Sequence, residues 1–342
     1  MKLFTPFRSL ACFGLVLALA SCSKSSSNKA ATTGPDVYLA GLDNGVAVYW
    51  KNGVETKLTN SSSQAYGDAI SVGSNGNIYV AGVKSVNKQN NTVGVYWTNG
   101  TPTYLTDSTQ NSNSYANALY LSGSDVYIGG YTDNTISYAT YWKNGVATQF
   151  GGANTTAGGI YLSGTDVYVG GSTLFSIGSN ATYWKNGSAV NLTTINSSGQ
   201  NGGSISGTFV SGSDVYMVGD SYDLYSGNYC ATYWKNGVAT RLTTTATDAH
   251  GLGIFVSGSD VYVCGDELVG GVYEAKYWKD GTEFNLSTSA SNATGIYIYN
   301  DYVYVSGYAE DNTGANDATY WVNGQATQIG EAGTSANAIF VK

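Results

Sequence analysis

From Gly253 onward the chain sets four short runs between turn residues: Gly-Ile-Phe-Val, then Ser-Gly-Ser-Asp, then Val-Tyr-Val-Cys-Gly, a variable stretch, Ala-Lys-Tyr-Trp-Lys, Asp-Gly, and Thr-Glu-Phe-Asn-Leu-Ser. Runs of this length, rich in β-branched and aromatic residues and bounded by Gly, Ser and Asp, predict strands rather than helices. We label them a, b, c and d. The first two are apolar throughout, which predicts burial on both faces. The fourth alternates; in another copy Val238, Thr240 and Leu242 fall on one side and Ala239 and Arg241 on the other, as expected of a half-exposed outer strand. The order from the inside outwards is therefore a, b, c, d.

The unit recurs. All seven tryptophans, Trp50, Trp97, Trp142, Trp184, Trp234, Trp278 and Trp321, follow a Tyr at intervals of about 45 residues, a period of propellers and solenoids. Ala139–Thr148 returns as Ala231–Thr240 almost unchanged. After each Trp comes Asn-Gly, or Asp280-Gly281 in one copy. Both residues of a type I′ turn need positive φ, which Asn and Asp tolerate and Gly adopts freely, so each c–d pair is a hairpin of fixed register. The repeated Trp is expected to fill the core between units.

The ends decide between the two architectures. The repeats start with a strand b at Asp36 and finish with a lone strand a, Ala336–Lys342. These are complementary fragments of one unit, which closes a ring and removes exposed edges; a solenoid would instead end in atypical caps. The fold class expected is all-β: a seven-bladed β-propeller of four antiparallel strands per blade over residues 35–342, closed by pairing of the C-terminal strand with the N-terminal ones.

Composition sharpens the functional classes. With 15 Lys and Arg against 23 Asp and Glu, a net charge of -8, and Arg only at Arg8 and Arg241, the chain lacks the cations that displace counterions from phosphates, so nucleic acid is excluded as a partner. A single His and no Cys-x-x-Cys leave no ligand set for zinc or haem, and no cofactor or metal is expected. Cys264 takes a slot that holds other small residues in the other copies; whether it pairs with Cys230 is left open.

The N-terminus, Met-Lys-Leu-Phe-Thr-Pro-Phe-Arg followed by the apolar Leu10–Ala20, has the form of a signal peptide, residues 1–21. Leu19-Ala20-Ser21-Cys22 resembles a bacterial lipobox, which would make Cys22 the lipidated N-terminus and a membrane the partner. Polar residues 22–34 would then be a flexible tether with a reach of roughly 20 Å. A monomer lipid-anchored in the cell envelope, at the outer membrane, is the expectation.

Internal comparison locates the candidate site. The a–b turns Ser122–Asp125, Ser163–Asp166, Ser211–Asp214 and Ser257–Asp260 hardly vary, whereas the b–c loops and d–a crossovers differ in length and content. Both variable sets emerge at one end, and function concentrates on variable loops held by a rigid frame. The b–c candidates are Tyr131, Asp133, Phe175, Tyr222, Asp223, Tyr225, Asp266, Glu267, Tyr273, Glu274, Tyr308, Glu310, Asp311 and Asp317; the crossovers add Tyr66, Asp68, Tyr115 and His250. Aromatic rings beside acids and amides suit carbohydrate or another polar ligand, and equally suit the soluble loops of an acidic, Tyr-rich protein.

The unit Tyr141-Trp142-Lys143-Asn144-Gly145-Val146 resembles the bacterial extracellular repeats of the HAF type and, in architecture, the WD40 and kelch propellers. The Gly-His…Trp-Asp signature of WD40 is missing, and Gly129-Gly130 and Gly170-Gly171 come nearest to the kelch double glycine. The resemblance spans about Asp36 to Lys342 and implies a secreted location without a particular chemistry. Three functions follow as expectations: a binding or interaction scaffold for carbohydrate or a protein; a glycan hydrolase or lyase whose paired carboxylates would come from Asp223, Asp266, Glu267 and Asp311; or a purely structural surface protein.

Overall fold

The computed structural model describes residues 34–342 apart from 62–63, 87–90, 106–112, 176–177 and 193–201. Seven four-stranded antiparallel sheets form a β-propeller. The innermost strands are Thr334–Val341 in blade 1 and, in blades 2 to 7, Ala65–Val72, Asn113–Ser122, Thr155–Ser163, Gly203–Ser211, Ala249–Ser257 and Ser291–Tyr299. Strands b, c and d follow outwards in chain order. In blade 1 the last strand pairs antiparallel with the first, Val37–Asp43, from Val37 opposite Val341 to Asp43 opposite Thr334. The ends thus close the ring as the complementary fragments require.

Each c–d hairpin turns on an Asn or Asp at φ of about 50° followed by a Gly at positive φ, for example Asn144 (φ 50) and Gly145 (φ 84). The same Asn reaches back across the blade: Asn144 Nδ2 donates to Asp125, and its Oδ1 accepts from the Val126 amide, both at 2.8 Å. Lys143, one residue earlier, pairs with Asp125 at 2.7 Å and lies 5.2 Å from the Tyr127 ring centre. Lys51, Lys185, Lys235 and Lys279 repeat that arrangement. The constancy of the Asp-Val-Tyr and Lys-Asn-Gly segments is therefore a clip between the a–b and c–d turns.

Every Trp is at most 2 % exposed, and each bridges two blades: Trp97 of blade 2 packs with Tyr38 and Ala40 of blade 1, and Trp142 of blade 3 with Tyr79 and Ala81 of blade 2. Burying ~150–250 Å² per ring at about 25 cal/mol per Å² makes these wedges the largest single apolar terms in each blade contact. Strand b is buried on both faces, as in Val126–Gly130. Strand a departs from expectation. It alternates buried and half-buried residues, as in Ser291–Tyr299, because one of its faces lines the central channel.

Cys230 and Cys264 are buried free thiols. The signal-peptide, lipobox and tether readings, Cys22 included, lie outside the described residues.

Candidate functional site

All seven inner strands carry a bulge at the same height, each with one extra residue opposite strand b. The extra residues are Asn337, Asp68, Asn117, Gly158, Ser206, Leu252 and Thr294 in ring order. All seven line one cavity of about 610 Å³ in the channel, at the end where the b–c and d–a connections emerge. Three of them tie each blade to the next. Asn117 donates to the Ala157 carbonyl (2.8 Å), Thr294 to that of Ala336 (2.7 Å) and Asn337 to that of Gly67 (3.0 Å). The acceptor is in each case the residue just before the next blade's bulge.

The bulge also explains the glycine that ends the apolar core of every strand b. A Cβ on Gly41, Gly82, Gly130, Gly171, Gly219, Gly265 or Gly307 would stand 1.8–2.1 Å from a carbonyl oxygen of the adjoining strand a. Only Gly lets the bulged backbone approach so closely.

Asp68 sits in the ring slot that is Asn in the flanking blades. Burial pushes its carboxyl up to about 8, opposed only by a hydrogen bond from Asn337. The group is therefore largely protonated at neutral pH, and the cavity wall is polar but close to uncharged. Above the ring, the next residues on strands a and b form the mouth. On one side stand Tyr66, Tyr115 and Tyr131, with Tyr115 and Tyr131 stacked at 4.4 Å and 18°; Tyr66 and Tyr131 also line the cavity. Burial raises the Tyr131 hydroxyl to about 12.

The other side is ionic. His250 lies directly across the ladder from Asp266 and shares its Nδ1 proton with Asp266 Oδ1 at 2.8 Å. That hydrogen bond, reinforced by the fields of Asp220, Asp266 and Asp248, raises His250 to about 9. Asp266 is buried and also accepts from the Asn292 amide. Asp220, raised to about 6 by burial, accepts from the Gly251 amide at 3.1 Å. Tyr222, Tyr229, His250 and Tyr273 run as a row with ring centres 5.0, 5.8 and 5.5 Å apart, and Tyr273 donates to Asp248 at 2.6 Å.

Several candidates prove to be strand residues rather than loop residues. Tyr131 and Asp133 extend strand b of blade 3; Tyr222 lies on strand b of blade 5, Asp266 and Glu267 on that of blade 6, and Tyr308 and Glu310 on that of blade 7. Tyr273 and Glu274 lie on strand c of blade 6, and Tyr66, Asp68, Tyr115 and His250 on strands a. The hairpins run on past the glycine because the bulge bends strand a without ending its pairing. Of the remaining acids, Asp223 holds the Ser226 amide and hydroxyl at 3.0 Å, and Asp311 holds Thr313 and Ala315, each shaping its own turn. Glu267 is bound by Lys276 at 2.6 Å and by Thr247, with Glu274 across the ladder from it. Asp317 lies on strand c of blade 7 rather than in a loop and accepts from Gln328 at 2.8 Å. Tyr225 is 81 % exposed and Phe175 56 %, and Tyr308 stands opposite Asn292.

Asp220, Asp248 and Tyr229 were not among the sequence candidates. Asp220 had a signal: the residue after the strand-b glycine is Leu42, Val83, Tyr131, Ser172, Asp220, Asp266 or Tyr308, so two adjacent blades place an acid at one height. Among the described residues no group of three or more His, Cys, Asp or Glu is arranged to hold a metal ion.

No family model matches the chain, and no curated protein matches it in sequence. Solved structures match in shape. A puromycin-hydrolysing peptidase of Mycobacterium tuberculosis aligns at TM-score 0.55 with 9% identity, over 86% of this chain and 52% of that one. A prolyl endopeptidase aligns at 0.50 with 10% identity, over 88% and 50%. The β-propeller domain of the trilobed protease of Pyrococcus furiosus, described as having an open velcro topology, aligns at 0.49 with 10% identity, over 86% and 94%. The chain spans about half the length of the two peptidases. At these identities the likeness is one of fold.

Proposed function

We propose that the protein is an envelope propeller, held to the outer membrane by a lipid on Cys22 and the tether of residues 22–34, that binds a neutral polyhydroxylated ligand, carbohydrate above all, at the b–c mouth. The observation that carries this reading is the stacked Tyr115–Tyr131 pair standing over the ring of bulge residues, five of the seven polar, that lines one cavity. Sugar rings present C–H faces to aromatic side chains and hydroxyls to amides and carboxyls, and the cavity offers both. Asp68, protonated near neutral pH, adds a donor without adding charge. Among the described residues no Lys or Arg lines the cavity, which disfavours a phosphorylated or acidic ligand. A glycan array probed with the wild type and with Tyr131→Ala tests the proposal. Retention of a neutral glycan by the wild type and its loss in the variant supports it; no retained glycan, or equal retention, refutes it.

A second reading, a glycan hydrolase or lyase, draws on the same carboxyl: Asp68 at about 8 and Asp220 at about 6 are acids able to hold a proton near neutrality. Release of reducing ends from a retained glycan, abolished by Asp68→Asn with binding intact, would establish it.

A further inference from the structure

The opposite end of the channel, where the a–b turns emerge, carries a second cavity of about 580 Å³. Its wall is a collar built from one position of each inner strand: the residue facing the strand-b Tyr across the ladder, as Tyr120 faces Tyr127 and Phe209 faces Tyr216. Tyr120, Tyr161, Phe209, Phe255, Tyr297 and Phe340 hold that position in six blades. Neighbouring rings are tilted against one another, with centres 4.6, 4.9, 5.0, 4.8 and 5.1 Å apart. In blade 2 the position is Ser71, opposite Tyr79. The series is broken there, at the one position between Phe340 and Tyr120 that carries no ring.

The same blade departs from the repeat a second time. Its a–b connection, Gly73–Asn77 between the paired Val72 and Ile78, is one residue longer than Ser122–Asp125 between the equivalent pair Leu121 and Val126. Ser71, Gly73 and Ser74 line the cavity beside Ile70, Leu119 and Ile339. The opening therefore combines an aromatic wall on both sides, an aliphatic floor and hydroxyls at the rim.

We propose that the Ser71 gap is a binding site for a small uncharged compound carrying one aromatic ring, which completes the collar. Tilted aromatic neighbours at this spacing favour one another by ~0.5–1.5 kcal/mol beyond their burial, and a ring in the gap would gain such a neighbour on each side. The Ser71 hydroxyl and the turn suit one polar substituent on the ring, such as a phenol hydroxyl or an indole N–H. Among the described residues no charged side chain lines the cavity, so an ionised ligand gains no ion pair there. The site lies at the other mouth from the carbohydrate cavity and stands or falls independently of it.

Indole and phenol serve as probes, titrated into the whole protein and followed by calorimetry and by the thermal midpoint. Binding by the wild type is expected, with the ring-completing Ser71→Phe at least tenfold weaker and Tyr131→Ala at the other mouth unchanged. Tyr120→Ala, which removes one wall of the gap, is expected to weaken binding at least fivefold and decides the matter if Ser71→Phe fails to fold. No binding of either probe to the wild type, or binding undiminished in folded Ser71→Phe or Tyr120→Ala, overturns the proposal.

Discussion

The side-chain amide of Asn337 donates to the carbonyl oxygen of Gly67 at 3.0 Å, so the final strand is tied to blade 2 as well as to its ladder partner in blade 1. Replacing Asn337 by Ala removes that hydrogen bond and should lower stability by about 1 kcal/mol, read as a fall in the urea midpoint without a change in slope. Deleting Ala336–Lys342 removes most of the closing strand and exposes the edge of blade 1. No soluble folded protein is expected, and a truncated chain with an unchanged melting curve would contradict ring closure.

Gly130 tests the bulge. Its added Cβ would lie 1.8 Å from the Tyr115 carbonyl oxygen, and backbone cannot move aside as a side chain can. Gly130→Ala should destabilise by ~3 kcal/mol or more. Gly123→Ala, at φ 60 with open space around it, should lose only about 1 kcal/mol. Comparable losses at the two sites would show that the close approach is not what fixes the glycine.

Two groups make stability fall as the solution turns alkaline. Asp68, raised from 3.8 to about 8, binds its proton more tightly in the folded protein, so its contribution is complete below about pH 4 and is lost as pH rises through 8. His250, raised from 6.5 to about 9, behaves alike between those values. The thermal midpoint should therefore drop from pH 7 to 9.5. Asp68→Asn keeps a donor without an ionisable group and should flatten the lower part of that drop; His250→Gln should flatten the upper part. Profiles that superimpose on the wild type would show that neither group titrates as described.

The architecture was readable because its determinants are local. Asn144-Gly145 fixes a turn by its own φ angles, Trp142 marks its strand wherever it recurs, and the unpaired ends at Asp36 and Lys342 declare the closure. The bulge was not readable. It is a register event between strands, and the residues it turns into the channel, Asp68, Gly158 and Leu252 among them, share no chemistry that repeats. The same blindness hid the alternation of strand a, since Tyr120 and Phe209 look like core residues until the channel beside them is known. The candidate acids divided for a related reason. Asp223 and Asp311 sit in variable loops as expected, yet they are engaged by amides a few residues away. Asp220 stands at the mouth because a ladder carries it there.

The most direct test of the account is the thermal midpoint of three proteins, wild type, Tyr131→Ala and Tyr120→Ala, each with and without a panel of neutral oligosaccharides. Ligand that binds only the folded state raises the midpoint. At least one sugar should raise it for the wild type and for Tyr120→Ala, whose substitution lies at the other mouth, and leave Tyr131→Ala unmoved. A panel that shifts none of the three, or shifts Tyr131→Ala as much as the wild type, would contradict a carbohydrate site at the b–c mouth.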